Sequence, residues 1–170
     1  NSFKTDVNGM PQFSTYNNSD AKETADFNSS TSFDVRLDHT VAIPGHPWKY
    51  DPNFIYQKNW ARATDIYGHF SSLKENQHYK CACFEKVPPF MASSKNTDII
   101  RYADVLLWKA EALIESGNIA SGINIINQIR TRAKNSPYVK DFISPSQNAA
   151  NYAIGMYSTA LSQAEAIKAL

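Results

Sequence analysis

Apolar side chains recur through residues 98–116 with the spacing of an amphipathic helix. Steps of four and three residues alternate, which places these side chains on one face of a helix. The predicted stripe consists of Ile99, Ala103, Leu106, Ala110 and Leu113. A second row beside it, formed by Tyr102, Val105 and Leu107, is expected to widen the buried face.

The ends of this helix carry recognisable signals. Asn96 or Thr97 is predicted to accept the unpaired N–H groups at the start, and Asp98 suits the positive end of the helix dipole. Gly117 can adopt the left-handed conformation that ends a helix, and Asn118 can cap the next one. Because so few residues separate the two helices, they are expected to fold back antiparallel.

The second predicted helix extends to Ala133. Its apolar face consists of Ile123, Ile126, Ile129 and Ala133. Arg130, Arg132 and Lys134 crowd its last turn, where the helix dipole favours cations. The order of small and apolar residues is that of a tetratricopeptide-type hairpin, although a plain helical hairpin in another kind of bundle fits equally well. That order is Ala110, Leu113, Gly117, Ile119, Ala120 and Ile126.

Ahead of the helices, residues 1–32 are polar and predict loop. Residues 32–43 then alternate, with Phe33, Val35 and Leu37 apolar, which predicts a half-buried strand. The intervening polar positions are Asp34, Arg36 and Asp38. Within that set, Asp34 and Arg36 are expected to pair with the backbone or with each other.

Residues 46–70 are rich in aromatic side chains with polar residues between them. Sugar rings stack on aromatic planes and their hydroxyl groups need fixed donors and acceptors, so this mixture is typical of a carbohydrate site carried on loops. The alternative is that these aromatic residues form core. At least one of the group is expected to be exposed. The candidate ligand-binding residues are Trp48, Tyr50, Tyr56, Asn59, Trp60 and Arg62.

Residues 70–89 predict two short strands with a turn near Glu75–Asn76, and Pro88–Pro89 is expected to lead an extended crossing into the first helix. Cys81 and Cys83 lie two residues apart, a spacing that argues against a disulfide. Free thiols on one face of a strand are the favoured interpretation, and no second ligand pair supports a metal site.

Towards the end of the chain, residues 148–157 predict a short helical turn interrupted by Gly155. Ser162 and Glu165 have the spacing of a capping box, in which the cap hydroxyl and the glutamate satisfy one another's backbone N–H groups. A further helix is therefore expected over residues 164–170.

Composition narrows the functional classes. The chain of 170 residues has a formal net charge of +1, which gives no electrostatic case for nucleic-acid binding. No run of residues approaches the ~18 apolar positions that a membrane span requires. No catalytic motif or phosphate-binding glycine loop occurs, and Glu111 and Glu115 are interpreted as solvated polar positions. No enzymatic activity, cofactor or metal is predicted.

Several segments together resemble the SusD/RagB family. They are Phe33–Val41, Arg101–Leu107, Ala110–Leu113 and Ile125–Ala133. The family patterns are D-P-R-L-x-x-T-V, R-Y-A-E-V-L-L, A-E-A and I-N-x-V-R-x-R-A. Here Val35 replaces the proline and Asp104 the usual glutamate.

The resemblance implies a cell-surface glycan-binding lipoprotein of the outer membrane in Bacteroidetes, which works with a SusC-type TonB-dependent transporter. It implies an oligosaccharide or polysaccharide ligand, no catalysis, and membrane attachment only through a lipid on a cysteine outside this sequence. It also implies that the chain is a fragment of a longer protein, with some apolar surface covered by absent parts.

The expected fold is mainly α: tetratricopeptide-like antiparallel hairpins with an irregular subdomain of loops and short β-hairpins. The loop-rich part is predicted over residues 1–95 and the helical part over 96–170. One rival hypothesis is a helical-repeat protein that binds a peptide or protein along Tyr102, Val105 and Lys109. A second is a glycoside hydrolase fragment, which requires two carboxylates roughly 5–10 Å apart across a cleft.

Overall fold

The computed structural model of the chain describes residues 3–15, 31–48, 51–74 and 76–170. These residues contain five α-helices and two single 3-10 turns. The helices are α1 (Leu37–Thr40), α2 (Thr64–Tyr67), α3 (Tyr102–Glu115), α4 (Ile119–Lys134) and α5 (Gln163–Ala169), and the 3-10 turns are Phe13–Thr15 and Lys58–Trp60. The fold is therefore mixed and mainly helical. Tetratricopeptide-like repetition and the division at residue 95 remain predictions.

Short strands in the described residues pair two by two, always antiparallel. They are β1 (Lys4–Thr5), β2 (Ser32–Phe33), β3 (Val41–Ala42), β4 (Pro47–Trp48), β5 (Asp51–Ile55), β6 (Ser71–Ser72), β7 (Phe84–Val87) and β8 (Phe90–Ser93). The pairs β4–β5 and β7–β8 are hairpins, whereas β1–β2 and β3–β6 join segments that are distant in sequence. Small sheets of this kind hold loops in place and form no layer of their own.

The turn between α3 and α4 confirms the predicted helical hairpin. Gly117 has a φ of +87°, a left-handed conformation that glycine adopts without steric cost. The Asn118 N–H donates to the Leu113 carbonyl at 2.8 Å and the Gly117 N–H to the Ile114 carbonyl at 3.0 Å, which is the Schellman pattern. This arrangement ends α3 at Glu115, and α4 begins at Ile119, directly after Asn118.

Gly122 sets the distance between α3 and α4. A Cβ atom at this position would lie 2.5 Å from the Cγ1 atom of Ile114 and 2.8 Å from the carbonyl oxygen of Ala110. A small residue is therefore needed for the two helices to approach this closely. The core that results contains Ala110, Ile114, Ile123, Ile126 and Ala166, the last contributed by α5.

The predicted start and outer face of the first helix are wrong. The helix begins at Tyr102, because the Asp104 carboxylate accepts the Arg101 N–H at 2.9 Å and so completes the cap there. Ile99 precedes the helix and is 91% exposed, while Tyr102 is 76% and Val105 44% exposed. The buried side of α3 is narrower than predicted, because α4 and α5 cover only one face.

The segment around β2 is only partly a strand. Phe33, Val35 and Leu37 are buried as predicted, but Asp34 and Asp38 are buried too. After residue 33 the chain turns into α1, so the two-residue alternation of a strand no longer decides which side chains point inward. The predicted pairing is confirmed: the Arg36 guanidinium donates to both carboxylate oxygens of Asp34 at 2.9 and 2.6 Å.

This segment attaches the loops to the helices. Val35 packs with Ala133 of α4 and with Ile154. Phe33 donates its N–H to Asn151 and accepts the Ala153 N–H. Residues 148–157 contain no helix, so the predicted helical turn there is wrong; Asn151 and Ala153 instead form backbone hydrogen bonds with Phe33.

The predicted hairpin over residues 70–89 is also wrong. Ser71–Ser72 pairs with Val41–Ala42, while the hairpin of this region is β7–β8 and turns at Pro88–Pro89, whose peptide bond is cis. Prolines lack the N–H that the interior of a paired strand requires, so they suit the turn between the two strands. Of the predicted turn, Glu75 lies outside the described residues.

Arg130 has a different role from the one predicted. Instead of completing a solvated basic end of α4, it is 5% exposed and donates to the carbonyl oxygens of Gly155 at 2.6 Å and Gly9 at 2.9 Å. Its guanidinium also lies 4.7 Å from the centre of the Tyr157 ring. Burial lowers the pKa of this guanidinium. Arg132, two residues on, is exposed as expected.

The final helix confirms its predicted start. Ser162 is the N-cap of α5, and the Ser162 and Glu165 side chains accept one another's backbone N–H groups. The Asn127 side chain fixes the preceding loop by two hydrogen bonds of 2.8 Å to the backbone of Tyr157. Among the described residues, no helix has both the length and the apolar character needed to traverse a bilayer.

Candidate functional site

The β4–β5 hairpin positions the first rings of the candidate site. The Gly45 N–H donates to the Tyr56 carbonyl at 2.9 Å and the Tyr56 N–H to the His46 carbonyl at 3.0 Å, so the ladder continues beyond β5. Trp48 then stacks on Tyr56 with 5.5 Å between ring centres. Trp60, at the end of the 3-10 turn, meets both rings edge-on at 6.0 and 5.6 Å. Three of the candidate residues, Trp48, Tyr56 and Trp60, thus pack together as one cluster of rings.

Further rings extend this group along the surface. Phe54 lies 5.1 Å from Trp60 and 4.6 Å from Tyr79, measured between ring centres. His78 completes the row, 5.5 Å from Phe54 and 4.6 Å from Tyr79. We refer to these six residues as the aromatic cluster: Trp48, Phe54, Tyr56, Trp60, His78 and Tyr79.

The two sides of the aromatic cluster differ in exposure. Tyr56 is 2% exposed and packs with Leu73, so it belongs to the core below the surface. Trp60 and Tyr79 are 44% and 45% exposed, and Trp48 is half-buried between the two levels. The expectation that at least one ring faces solvent is confirmed, and the core alternative holds for Tyr56.

The predicted polar residues lie beside the cluster. Asn59 belongs to the 3-10 turn that carries Trp60, Arg62 follows it, and both are exposed. Tyr50 lies outside the described residues. His78 and Tyr79 were missed, because nothing in the local sequence around them indicates that they meet a hairpin more than twenty residues earlier.

Charged groups hold the His78–Tyr79 edge in place. The Lys80 ammonium bonds to the Asp51 carboxylate at 2.9 Å and lies 5.3 Å from the centre of the Tyr79 ring. The imidazole Nε2 of His78 is 3.3 Å from the same carboxylate. The hydrogen bond from Lys80 lowers the pKa of Asp51. Because Asp51 belongs to β5, these contacts join the His78–Tyr79 segment to the β4–β5 hairpin.

A cavity of about 470 Å³ adjoins the aromatic cluster, with His78 and Leu73 on its wall. It is of the size of small-molecule sites in proteins. Asp38 is the single carboxylate among the described lining residues, which therefore do not supply the facing pair of carboxylates that a glycosidase requires.

Cys81 and Cys83 also line the cavity, and they are joined by a disulfide. The preference for free thiols on a strand is therefore wrong. Both residues lie in a turn in which the Phe84 N–H donates to the Cys81 carbonyl at 3.0 Å. The turn brings their Cα atoms to 5.1 Å, within the ordinary range for disulfides, whereas a strand would hold them further apart.

Behind the cavity, Asp38 links three segments of the chain. One of its carboxylate oxygens accepts the Nδ1 proton of His46 at 2.5 Å, and the other accepts the Tyr152 hydroxyl at 2.5 Å. Asp38 and His46 are each 2% exposed. A histidine buried to this degree cannot reach a ligand, so the His46–Asp38 pair is structural. Burial, and then the charge of Asp38, strongly raise the pKa of Tyr152.

The substitution Tyr152→Phe is expected to lower the free energy of unfolding by about 1–3 kcal/mol, because one buried oxygen of Asp38 loses its donor. Urea unfolding at pH 7 measures this. The pKa of Tyr152 is raised from an ordinary 10.0, so the unfolded chain releases this proton first and stability falls as the pH rises above that value. The Phe variant should lose less stability than the parent in that range. Tyr138→Phe is the matched control, and an equal loss there would contradict the assignment.

A family model described as the SusD family matches residues 1–170. The chain belongs to the SusD family. The resemblance carried by Phe33–Val41 and Arg101–Leu107 is thereby confirmed, and no curated protein matches the chain. Proteins of the SusD family generally bind glycans in nutrient uptake and are typically found at the cell surface.

In this SusD-family chain, the aromatic cluster has the properties that a sugar-binding surface needs. Trp60 and Tyr79 are both partly exposed to solvent, and the buried Tyr56 packs edge-on against Trp60. The exposed amide of Asn59 and guanidinium of Arg62 supply donors suited to hydroxyl groups.

Proposed function

We propose that this SusD-family chain captures oligosaccharides or polysaccharides at the outer surface of the cell without cleaving them. The captured glycan would pass to a SusC-type TonB-dependent transporter, with the protein held at the outer membrane by a lipid. The observation that supports the proposal best is the packed aromatic cluster, whose solvent edge is formed by Trp60 and Tyr79.

Within this proposal the candidate residues have different tasks. Trp60 and the half-buried Trp48 stack on sugar rings, while Tyr56 supports them from below. Asn59 and Arg62 bond to hydroxyl groups. Tyr50 remains a candidate on sequence alone.

Trp60→Ala is expected to weaken glycan binding at least about tenfold, equivalent to roughly 1.4 kcal/mol, because a truncated hot-spot aromatic loses its stacking surface. A glycan array identifies the ligand for the parent, and titration calorimetry then compares the variants. Trp108→Ala is the matched control, since Trp108 is 55% exposed on α3 and Trp60 44% exposed in the cluster. Equal binding by the parent and the Trp60 variant would refute the site.

One observation favours a second function. Tyr102, Val105 and Trp108 form an exposed apolar row along α3, with Lys109 beside it. Such a row suits contact with a peptide or a protein. Under this alternative the effects would be reversed: Trp108→Ala would weaken partner binding and Trp60→Ala would not.

A further inference from the structure

The cavity next to the aromatic cluster is basic in the described part of its lining. Two lysines, Lys74 and Lys95, and two histidines, His39 and His78, contribute to the wall, against the single carboxylate of Asp38. We refer to it as the basic cavity. Its charged groups come from α1, from the segment after β6 and from the residues after β8, so folding brings them together.

Asp38 makes its hydrogen bonds to groups other than the two lysines. Both of its oxygens accept short hydrogen bonds from inside the protein, from His46 and Tyr152, each at 2.5 Å. At 2% exposure it also has little surface to offer a ligand. The carboxylate in the wall is thus engaged away from the cavity.

The two lysines of the wall lie next to one another. The Lys95 ammonium donates to the backbone carbonyl oxygen of Lys74 at 3.2 Å, which holds the Lys95 side chain beside the Lys74 backbone. Lys74 also lies close enough to Asp104 to help lower its pKa, but the main cause of that shift is the hydrogen bond from Arg101. The Asp104 carboxylate is itself bonded by that guanidinium at 3.1 and 3.2 Å.

The basic cavity and the aromatic cluster are continuous. His78 belongs to both, with its ring packed against Phe54 and Tyr79. Leu73 lines the cavity and also packs with the buried Tyr56. One extended molecule can therefore lie on the rings and reach into the cavity.

We infer that this chain selects acidic glycans: sugar rings stack on the aromatic cluster while an anionic substituent, a carboxylate or a sulfate ester, enters the basic cavity. This inference rests on the proposed function and adds the ligand class to it. Lys74 and Lys95 bind the anion, and a carboxylate or sulfate gains charge-assisted hydrogen bonds that a neutral hydroxyl cannot match.

Affinity electrophoresis of the whole chain tests this with three sets of polysaccharides. Starch, galactan and xyloglucan are neutral, polygalacturonate and alginate carry carboxylates, and chondroitin sulfate carries sulfate as well. We expect acidic polysaccharides to bind at least about tenfold more tightly than neutral ones, which corresponds to a single strong ionic contact. Binding should weaken as sodium chloride increases. The set that binds most tightly distinguishes carboxylate from sulfate.

Variants separate specific recognition from general charge. Lys74→Gln and Lys95→Gln should each weaken binding of the acidic polysaccharide about tenfold and leave any neutral binding unchanged. Lys168→Gln, a matched charge loss on α5, should have no effect, and Trp60→Ala should weaken binding of every polysaccharide. Retention of neutral polysaccharides alone, or acidic binding that resists both lysine variants, would overturn the acidic selectivity and leave glycan capture standing. No retention by any polysaccharide would overturn both.

Discussion

Arg130→Met is expected to lower the free energy of unfolding by about 3 kcal/mol. The guanidinium makes two hydrogen bonds to carbonyl oxygens, Gly155 and Gly9, and bonds to charged groups are each worth roughly 1.5–3 kcal/mol. Part of this lost free energy is offset, because the substitution also removes a buried charge. Burial lowers the pKa of Arg130 and so disfavours its charged form. The low end of the sum is therefore the better expectation, and urea unfolding measures it.

Arg132→Met provides the control for this prediction. Arg132 lies two residues further along α4, in its last turn, and is exposed, so its loss should change stability by less than about 0.5 kcal/mol. If the cations here served only the helix dipole, both variants would cost a similar, small amount, about 0.3–1 kcal/mol. Equal effects of the two substitutions would thus show that the buried contacts of Arg130 do not stabilise the fold.

Gly9→Ala is expected to be still more damaging, with a loss above about 4 kcal/mol or no soluble folded protein. A Cβ atom at this position would lie 2.3 Å from the Gly155 nitrogen and 2.4 Å from the Ile154 carbonyl carbon, both backbone atoms that cannot rotate away. The Gly155 N–H also donates to the Gly9 carbonyl at 2.9 Å, so the clash breaks this bond as well. Soluble yield and chemical denaturation measure the effect.

Gly117→Ala separates the clash from backbone strain. Gly117 has a φ of +87°, similar to the +77° of Gly9, but a Cβ there would meet open space. Its substitution should cost only the left-handed strain, about 1–2 kcal/mol. Should the two alanine variants unfold at the same urea concentration, the close contact between residues 9 and 155 would not be present in solution.

Much of the helical part could be predicted because its causes are local. The spacing of Ile123, Ile126 and Ala133 places them on one side of α4, and all three are buried. Gly117 marks the end of α3 and Ser162 the start of α5. Both do so through hydrogen bonds to residues close in sequence, Ile114 and Glu165 respectively. The predicted start of α3 is wrong because several consecutive residues are plausible N-caps. Only Arg101 forms the capping interaction with Asp104.

The candidate site was predictable to the extent that it is contiguous in sequence. Trp48 and Trp60 occur in one aromatic-rich stretch, and the β4–β5 hairpin and the following turn bring them together. The exposure of each ring was not predictable, since Tyr56 is buried by Leu73 from another strand region. His78 and Tyr79 entered the cluster only through a contact between distant segments.

The amino-acid sequence by itself determined the helical hairpin, its Gly117 turn, the capping box of α5 and the aromatic character of the exposed surface. These depend on side-chain period and on hydrogen bonds between neighbours. The tertiary structure alone decided which polar groups lie inside: Arg130 reaches Gly9 across 121 residues, and Tyr152 reaches Asp38 across 114. Arg130 and Arg132 look alike in the sequence, and they differ because a buried charge depends on which distant carbonyl groups surround it.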